Sequence, residues 1–317
     1  MTLLLQYTLF FASVLTLVAL GGCFSEHSGV INLGLEGIMV IGGMGGALTM
    51  RYIAEHFPDA SAFTIIAMAL LMAIVFGMIY SLLLAVASIN FNADQTIVGT
   101  AMNMLATAAA TVIIKAINTA KNSSNVSSVV EYIKPKEAFM IRIGKYFDLS
   151  WFAIITVILL VVAYITLYKT KFGLRLMACG EYPQAAASVG IDVYKMRYAG
   201  VLISGALGGI GGLSYITAGV SEWKFEDGVR GFGFLALAVM IFGQWKPMKI
   251  ALAAILFGAF RALSNVREAI PFLASLKIPS QIYVMMPYII SLVVLAFTSK
   301  KSRAPKAEGI PYDKGQR

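Results

Sequence analysis

The sequence predicts an all-α protein, a single bundle of about nine or ten membrane helices that includes short or broken ones. Of its 317 residues, 59% are hydrophobic and only 13% are charged, whereas soluble domains carry about 25% charged residues. Several windows hold about 18 or more apolar residues with almost no charge, enough for a helix to cross a hydrocarbon core about 30 Å thick. Because these apolar runs are continuous and do not alternate with polar residues, they argue against a β-barrel.

Nine apolar segments are candidate membrane spans. The second, seventh and eighth are short or interrupted by glycine. Such helices are tolerated where they line a cavity or pack inside a bundle, because the freed backbone groups find partners there. In chain order, the segments are Leu3–Leu20, Leu33–Met50, Ala62–Ser88, Thr96–Ile117, Trp151–Leu167, Tyr198–Ala218, Phe232–Phe242, Ile250–Leu263 and Tyr283–Phe297.

Loop charge predicts which end of the bundle faces the cytoplasm. Residues 169–197 and 299–317 are rich in lysine and arginine, and basic segments beside membrane spans stay on the cytoplasmic side. We therefore expect 169–197 to be a cytoplasmic loop and 299–317 a cytoplasmic tail of one membrane domain that covers residues 1–317. Nine full spans put the N-terminus outside, whereas an extra half-helix around Cys23–Gly37 puts it inside, and the sequence leaves both possibilities open.

The composition argues against several classes of function. The net charge of +9 does not indicate nucleic-acid binding, because the basic residues lie in membrane-flanking loops and in the tail. The two cysteines and two histidines lack metal-ligand spacing, so we expect no metal site. The chain has no GxxxxGK[ST] phosphate loop and no nucleophile-elbow, kinase or zinc-protease motif. We therefore expect neither catalytic residues nor a cofactor bound by this chain.

Polar side chains within or beside the apolar segments are candidates for a translocation pathway. Ionisable groups at membrane depth are costly, and they usually line a pathway or pair with a partner. Asp94 also fits a helix N-cap, where its carboxylate would accept bonds from free backbone amides, and Glu36 also fits a buried pair or an interfacial position. The candidate pathway residues are Asn32, Glu36, Asp94, Gln95 and Asn103.

The segment between the fifth and sixth spans is too polar to cross a membrane, and it contains a short predicted helix. Gln184–Val189 lies between Pro183 and Gly190. Proline suits a first helical turn, and glycine suits a helix stop. Ala185–Ala187 are strong helix formers without bulk, so another protein could approach this helix closely. The helix either contacts a soluble protein or is an ordinary interfacial linker.

Four blocks of sequence, in the same order over nearly the whole chain, resemble the integral-membrane permease subunits of ABC importers. The resemblance is to the branch that serves branched-chain amino acids, ribose-type sugars and nucleosides. Its most recognisable block reads G-E-x-P-x-A-A-x-x-x-G-I, formed here by Gly180, Glu181, Pro183, Ala185, Ala186, Gly190 and Ile191. The other blocks are Phe24–Gly37, then Gly231–Phe234 with Ile241–Pro247, and the C-terminal IPSQIYVMMPYIISLVVL followed by APKAEGIPYDKG.

The resemblance implies a role for the short helix and a set of partners. In this family the corresponding segment, here Glu181–Gly190, is a coupling helix that docks in a groove of a separate ATPase subunit. ATP and Mg are then bound by that ATPase and not by this chain. The other implied partners are a second permease subunit, either a paralogue or a second copy, and an extracytoplasmic solute-binding protein. The implied location is the bacterial cytoplasmic (inner) membrane.

The same resemblance implies alternating-access transport of a small polar solute. The C-terminal block and the Phe24–Gly37 block are most similar to permeases of the nucleoside or simple-sugar type, so we expect a nucleoside. Simple sugars and branched-chain amino acids are alternative solutes. A secondary transporter or channel, which would need no ATPase, is the alternative of a different class.

Overall fold

The computed structural model describes residues 2–131, 139–143, 147–219, 222–266, 279–298 and 304–314. Over these residues the chain is a helical bundle, which confirms the predicted class. Each predicted span overlaps a helix, although the second begins two residues before α2 and the third runs three residues past the end of α3. Seven described helices are long and apolar enough to cross a membrane. The helices are α1 (Thr2–His27), α2 (Leu35–His56), α3 (Ala62–Ala85), α4 (Gln95–Lys121), α5 (Trp151–Lys169), α6 (Lys171–Glu181), α7 (Pro183–Ser188), α8 (Val193–Gly219), α9 (Phe232–Phe242), α10 (Pro247–Val266) and α11 (Ser280–Thr298). The strands are β1 (Val129–Glu131), β2 (Met140–Ile143), β3 (Phe147–Ser150) and β4 (Glu222–Lys224).

The helix ends gather at two opposite ends of the bundle, which we call the basic end and the hairpin end. The basic end carries residues 169–197. There the Tyr198 hydroxyl donates to Asn90 Oδ1 at 2.7 Å just after α3, and the His27 ring at the end of α1 lies 3.1 Å from the Trp245 carbonyl oxygen. At the hairpin end, β2 pairs with β3 and β1 pairs with β4, all antiparallel.

Helix α1 crosses the bundle completely. Its first turns lie against the β2–β3 hairpin, and its last residue, His27, lies at the basic end. The half-helix considered around Cys23–Gly37 is not formed, because α1 runs to His27 and residues 28–34 are non-helical. The chain therefore starts on the side opposite residues 169–197, as nine full spans predict.

Hydroxyl side chains cap the starts of α5 and α6. The Ser150 side chain accepts a bond from the Phe152 amide at 3.2 Å and starts α5. The Thr170 hydroxyl accepts a bond from the Gly173 amide at 3.1 Å and starts α6 directly after α5 ends. Such caps satisfy amides that have no partner within the helix.

Helices α1, α2 and α8 form the buried centre of the bundle, and glycines let α8 contact α2 and α3 through backbone atoms. A Cβ atom at Gly42 would overlap the Cα atom of Gly209, and a Cβ atom at Gly77 would overlap the carbonyl oxygen of Gly205. A Cβ atom at Gly209 would overlap the carbonyl oxygen of Ala73. Small residues allow this close approach of helices in lipid, where packing is the main attraction between them.

Gly209→Ala should destabilise the folded protein by at least about 3 kcal/mol, the upper end of the usual cost of overpacking, because a backbone carbonyl cannot swing aside as a side chain can. The measurement is the thermal unfolding midpoint of the detergent-solubilised protein, together with its monodisperse yield. Ala108→Val enlarges an exposed position on α4 and should leave the midpoint unchanged. A Gly209→Ala protein as stable as the wild type would contradict the backbone contact between α8 and α3.

Candidate functional site

Two breaks in helical geometry lie at a similar depth inside the bundle, one between α1 and α2 and the other before α9. Residues 28–34, which we call the α1–α2 link, follow α8 from Gly200 beside Ser28 to Ser204 beside Asn32. At a rise of 1.5 Å per residue, these two α8 positions lie roughly 10 and 16 Å from its first residue. Helix α9 has only 11 residues and ends at the basic end, so it starts at a similar depth.

Asn32 and Gln95 satisfy the polar backbone of the α1–α2 link. Asn32 is fully buried; its Nδ2 donates to Ser204 Oγ at 2.8 Å, and its Oδ1 accepts from the Gly34 amide at 3.1 Å. Gln95, at the start of α4, accepts from the Ile31 amide at 2.6 Å. Two of the predicted polar residues therefore fasten the link to α8 and α4.

Asn103 fastens the start of α2 to the middle of α4. Its Nδ2 donates to the Leu33 carbonyl oxygen at 2.8 Å, and its Oδ1 accepts from the Gly37 amide at 2.8 Å. The side chain is half-buried, so part of it is also exposed on the surface of α4.

Glu36 caps the start of the short helix α9. Its two carboxylate oxygens accept bonds from the backbone amides of Gly231 at 2.8 Å and Gly233 at 2.6 Å. These amides belong to the first turn of α9, where free N–H groups and the helix dipole favour a negative charge. Gly231 adopts φ +81°, a left-handed conformation that suits glycine. The buried pairing considered for Glu36 is thus present, and its partner is backbone.

Asp94 does not join this group. Its Oδ1 accepts bonds from the amides of Thr96 at 2.8 Å and Ile97 at 3.0 Å, so it is the N-cap of α4, as its second interpretation predicted. The structure brings four of the five predicted pathway residues around the α1–α2 link and the start of α9. These four are Asn32, Glu36, Gln95 and Asn103, and their role in a pathway remains a prediction.

At the basic end, the predicted coupling segment is two helices and not one. Glu181 is the last residue of α6, Tyr182 interrupts the helix, and Pro183 starts α7, which ends at Ser188. Gly190 adopts φ +85° with open space around it, which fits a glycine after a helix end. The short helix is therefore narrower than the predicted range from Glu181 to Gly190.

Only part of the predicted coupling motif faces outwards. Ala186 is 4% exposed and packs in a small cluster with Cys179, Val193 and Tyr312. The expectation that Ala186 offers an approachable surface is therefore wrong, because a segment near the C-terminus covers it. Pro183 is also buried. Exposed positions are Tyr182, Gln184, Ala185, Ser188, Val189 and Gly190.

Gly180 is a packing position. A Cβ atom there would overlap the carbonyl oxygen of His27, so α6 touches the end of α1 through backbone. The carbonyl oxygen of Gly180 accepts a bond from the Ala307 amide at 2.8 Å. Helix α6 is therefore in direct backbone contact with the end of α1 and with the segment around Ala307.

The tail segment, residues 304–314, closes the basic end. Its Gly309 amide donates to the carbonyl oxygen of Gly29 in the α1–α2 link at 3.2 Å. Arg197, which is 1% exposed, donates through Nη2 to the Ile310 carbonyl oxygen at 2.9 Å. Buried Tyr312 meets Tyr194 edge to face, with ring centroids 5.4 Å apart. The segment therefore contacts the coupling region, the link and the start of α8 together.

Sequence reasoning used this segment as part of a basic tail and of the C-terminal block that carries the family resemblance, and it predicted no docked structure for it. The signal that it is ordered is the run Gly-Ile-Pro-Tyr at 309–312, which is apolar and aromatic where a solvated tail would be polar. Gly309 adopts φ +76°, so glycine is required where the segment turns against Ile31 of the link.

Two carboxyl groups from distant parts of the chain meet beneath the tail segment. Glu26, near the end of α1, lies close enough to Glu308 for the two carboxyl charges to interact, and the Trp245 indole donates to Glu26. Two ionised carboxylates at such a short distance repel each other, which favours protonation within the pair. Burial raises the pKa of Glu308 from its ordinary value of 4.5 to about 7.

Broken helices that meet inside a membrane bundle, together with an exposed short helix at one end, are features of helical membrane transporters. The chain belongs to the family described as the branched-chain amino acid transport system, permease component, whose model matches residues 4–295. It is thus a multi-pass membrane permease subunit.

Relatives match over nearly their whole length. The guanosine ABC transporter permease protein NupQ of Bacillus subtilis is 38% identical, with 100% of this chain and 98% of the relative covered. The nucleoside ABC transporter permease protein NupC of Lactococcus lactis is 36% identical over 97% and 96%. A putative glucose ABC transporter permease protein of Haloferax volcanii, TsgC13, is 27% identical over 93% and 91%. No solved structure gives a significant match.

Docking of the tail segment should weaken as the pH rises from 4.5 to about 7. Below this window Glu308 is protonated whether the segment is docked or released, so docking is at full strength. Within it, the released side chain ionises while the docked one keeps its proton, and each increase in pH favours release. Above about 7 both forms are ionised and docking changes no further.

The measurement is the mobility of a spin label on Pro311→Cys, an exposed position of the tail segment. The native cysteines, Cys23 and Cys179, are buried and should stay unlabelled. Mobility should rise between pH 4.5 and pH 7, and Glu308→Gln should remove that dependence. Identical pH profiles for the two proteins would count against Glu308 as the group whose protonation controls docking.

Proposed function

We propose that this chain is the membrane-spanning subunit of an ATP-driven importer that carries nucleosides by alternating access. The observation that carries the proposal is the arrangement of the basic end. There an exposed short helix, α7, follows a helix whose backbone touches the end of α1 and the tail segment, and the tail segment holds the α1–α2 link. A displacement of α7 can therefore reach the α1–α2 link and the start of α9 through a small number of contacts.

The proposed path runs through few contacts. A partner that displaces α7 also displaces α6, because only Tyr182 separates the two helices. Gly180 carries the displacement to His27 and Ala307, and Gly309 carries it to Gly29 in the link. The link in turn holds the start of α2, whose Glu36 caps α9. Rigid-body motion of packed helices is an established way of switching a site between two states.

The energy source lies outside this chain. The sequence has no phosphate-binding loop, so ATP and Mg belong to a separate ATPase that docks on the exposed side of α7. Only a partner that binds one permease state more tightly than the other can shift the equilibrium between them. A second permease subunit, either a copy or a paralogue, and an extracytoplasmic solute-binding protein complete the proposed system in the bacterial cytoplasmic membrane.

Nucleosides are the proposed solute, because two relatives that are 38% and 36% identical to this chain are named as guanosine and nucleoside permeases. A simple sugar is the second candidate, supported by the more distant relative that is named as a putative glucose permease.

Ala185→Glu should abolish ATP-driven uptake while the subunit still folds and inserts, because Ala185 is exposed on α7 and a buried unpaired charge at a docking interface costs several kcal/mol. Ala186→Glu should instead lower the yield of folded subunit, because it buries a charge beside Cys179 and Tyr312. Ala120→Glu adds the same charge at a position exposed at the hairpin end; it is the matched control for folding and insertion, both of which should be normal. Normal uptake by Ala185→Glu would remove that side of α7 from the interface.

The function is tested by reconstitution of the subunit with its ATPase, second permease and solute-binding protein in liposomes. ATP-dependent uptake of labelled guanosine, competed by other nucleosides but not by ribose, is the expected result. Ribose uptake without nucleoside uptake would shift the proposal to the sugar candidate. Uptake driven by an ion gradient without ATP would overturn the importer proposal.

A further inference from the structure

Helix α4 has one polar flank. Every polar residue between positions 96 and 117 recurs at steps of three or four residues, so all of them lie on one side of the helix. Thr96 and Thr100 are exposed, and the others are half-buried. The polar flank consists of Thr96, Thr100, Asn103, Thr107, Thr111 and Lys115.

The opposite flank of the same helix is apolar. Leu105 and Ile113 on this flank are 52% and 41% exposed, as expected of side chains that face lipid. A helix surrounded by lipid on both flanks would gain nothing from concentrating its polar residues on one of them. The apolar flank consists of Val98, Leu105, Ala109, Ile113 and Ala116.

The polar flank lies against the segment that leads into α9. Lys115 Nζ is 2.6 Å from Glu226 Oε1, and the Thr107 hydroxyl would lie 3.6 Å from a Cβ atom at Gly228. Deeper in the bundle, the Asn103 side chain accepts a hydrogen bond from the Gly37 amide at the start of α2. The flank therefore extends from the hairpin end down to the depth at which the α1–α2 link lies and α9 starts.

We propose that the polar flank of α4 lines the translocation pathway and supplies the groups over which the solute passes. This inference rests on the proposed function and adds residues to it. Of the flank, only Asn103 lies among the polar residues that the sequence predicted for a pathway. The four threonines and Lys115 extend that single position into a continuous line along the membrane-spanning part of α4.

The chemistry of the flank fits an uncharged solute that carries hydroxyl and amide groups. Threonine hydroxyls and the Asn103 amide are neutral donors and acceptors. The Thr100 hydroxyl donates to the Thr96 carbonyl oxygen at 2.8 Å, which leaves its oxygen lone pairs as acceptors. Lys115, the one charged member, is paired with Glu226. A nucleoside, which is neutral and has several hydroxyl groups, satisfies these requirements.

The experiment compares two single-cysteine reporters at adjacent depths on the two flanks, Thr107→Cys and Leu105→Cys. The native cysteines are buried, and wild-type protein measures their background reaction. The fully reconstituted transporter is treated with a membrane-impermeant, cationic methanethiosulfonate. The extent of modification is followed by mass spectrometry, with and without saturating guanosine and the solute-binding protein.

Thr107→Cys should react at least about tenfold faster than Leu105→Cys. Only the thiolate reacts, and the apolar surroundings of a lipid-facing thiol raise its pKa. A rise of one pKa unit lowers the thiolate population about tenfold. Guanosine transport should slow the reaction at Thr107→Cys and leave Leu105→Cys unchanged. Equal rates on the two flanks would overturn the proposal. So would a Thr107→Cys that resists the reagent and, with an added oxidant, forms a disulfide with the same cysteine of a second copy of the chain, because the flank would then be a subunit interface.

Failure of this proposal is distinguishable from failure of the proposed function. If wild-type protein takes up guanosine with ATP while the two reporters react alike, the importer stands and α4 is removed from its pathway. If wild-type protein takes up no nucleoside, the proposed function fails first.

Discussion

Backbone that leaves helical geometry inside a bilayer must find hydrogen-bond partners within the protein, because lipid offers none. In this chain the constraint applies twice at one depth, in the α1–α2 link and at the start of α9. The partners are side chains from other elements. Their placement explains why polar groups that are costly in lipid occur there, and it ties α2, α4, α8 and α9 together around the two breaks. The partners are Asn32, Glu36, Gln95 and Asn103.

The bundle combines two kinds of contact that respond differently to force. Glycines bring α8 against α2 and α3 at backbone distance, so these helices are closely packed. The attachments to α4 and α9 are one or two hydrogen bonds per side chain to backbone groups, and each such bond contributes only about 1 kcal/mol net when it is exchanged for another. A rigid centre with exchangeable polar attachments is suited to a protein that has to alternate between two arrangements.

The sequence predicted what depends on neighbouring residues and missed what depends on distant ones. Hydropathy located the spans, and Asp94 and Pro183 marked helix starts because a cap acts within one turn. The burial of Ala186 could not be predicted, because Tyr312 covers it from the far end of the chain. Glu36 left two interpretations open for the same reason, since its partner Gly231 is brought to it by the fold. The polar flank of α4, in contrast, was readable from the spacing of its threonines.

The tail segment has a consequence for the order in which the molecule is completed. A ribosome delivers residues 304–314 only after the preceding helix, α11, has been synthesised. Until then the Gly29 carbonyl oxygen and the Arg197 guanidinium lack the partners that the segment gives them. The surface around α7 is therefore completed only when the segment docks, because Tyr312 packs against Ala186 there.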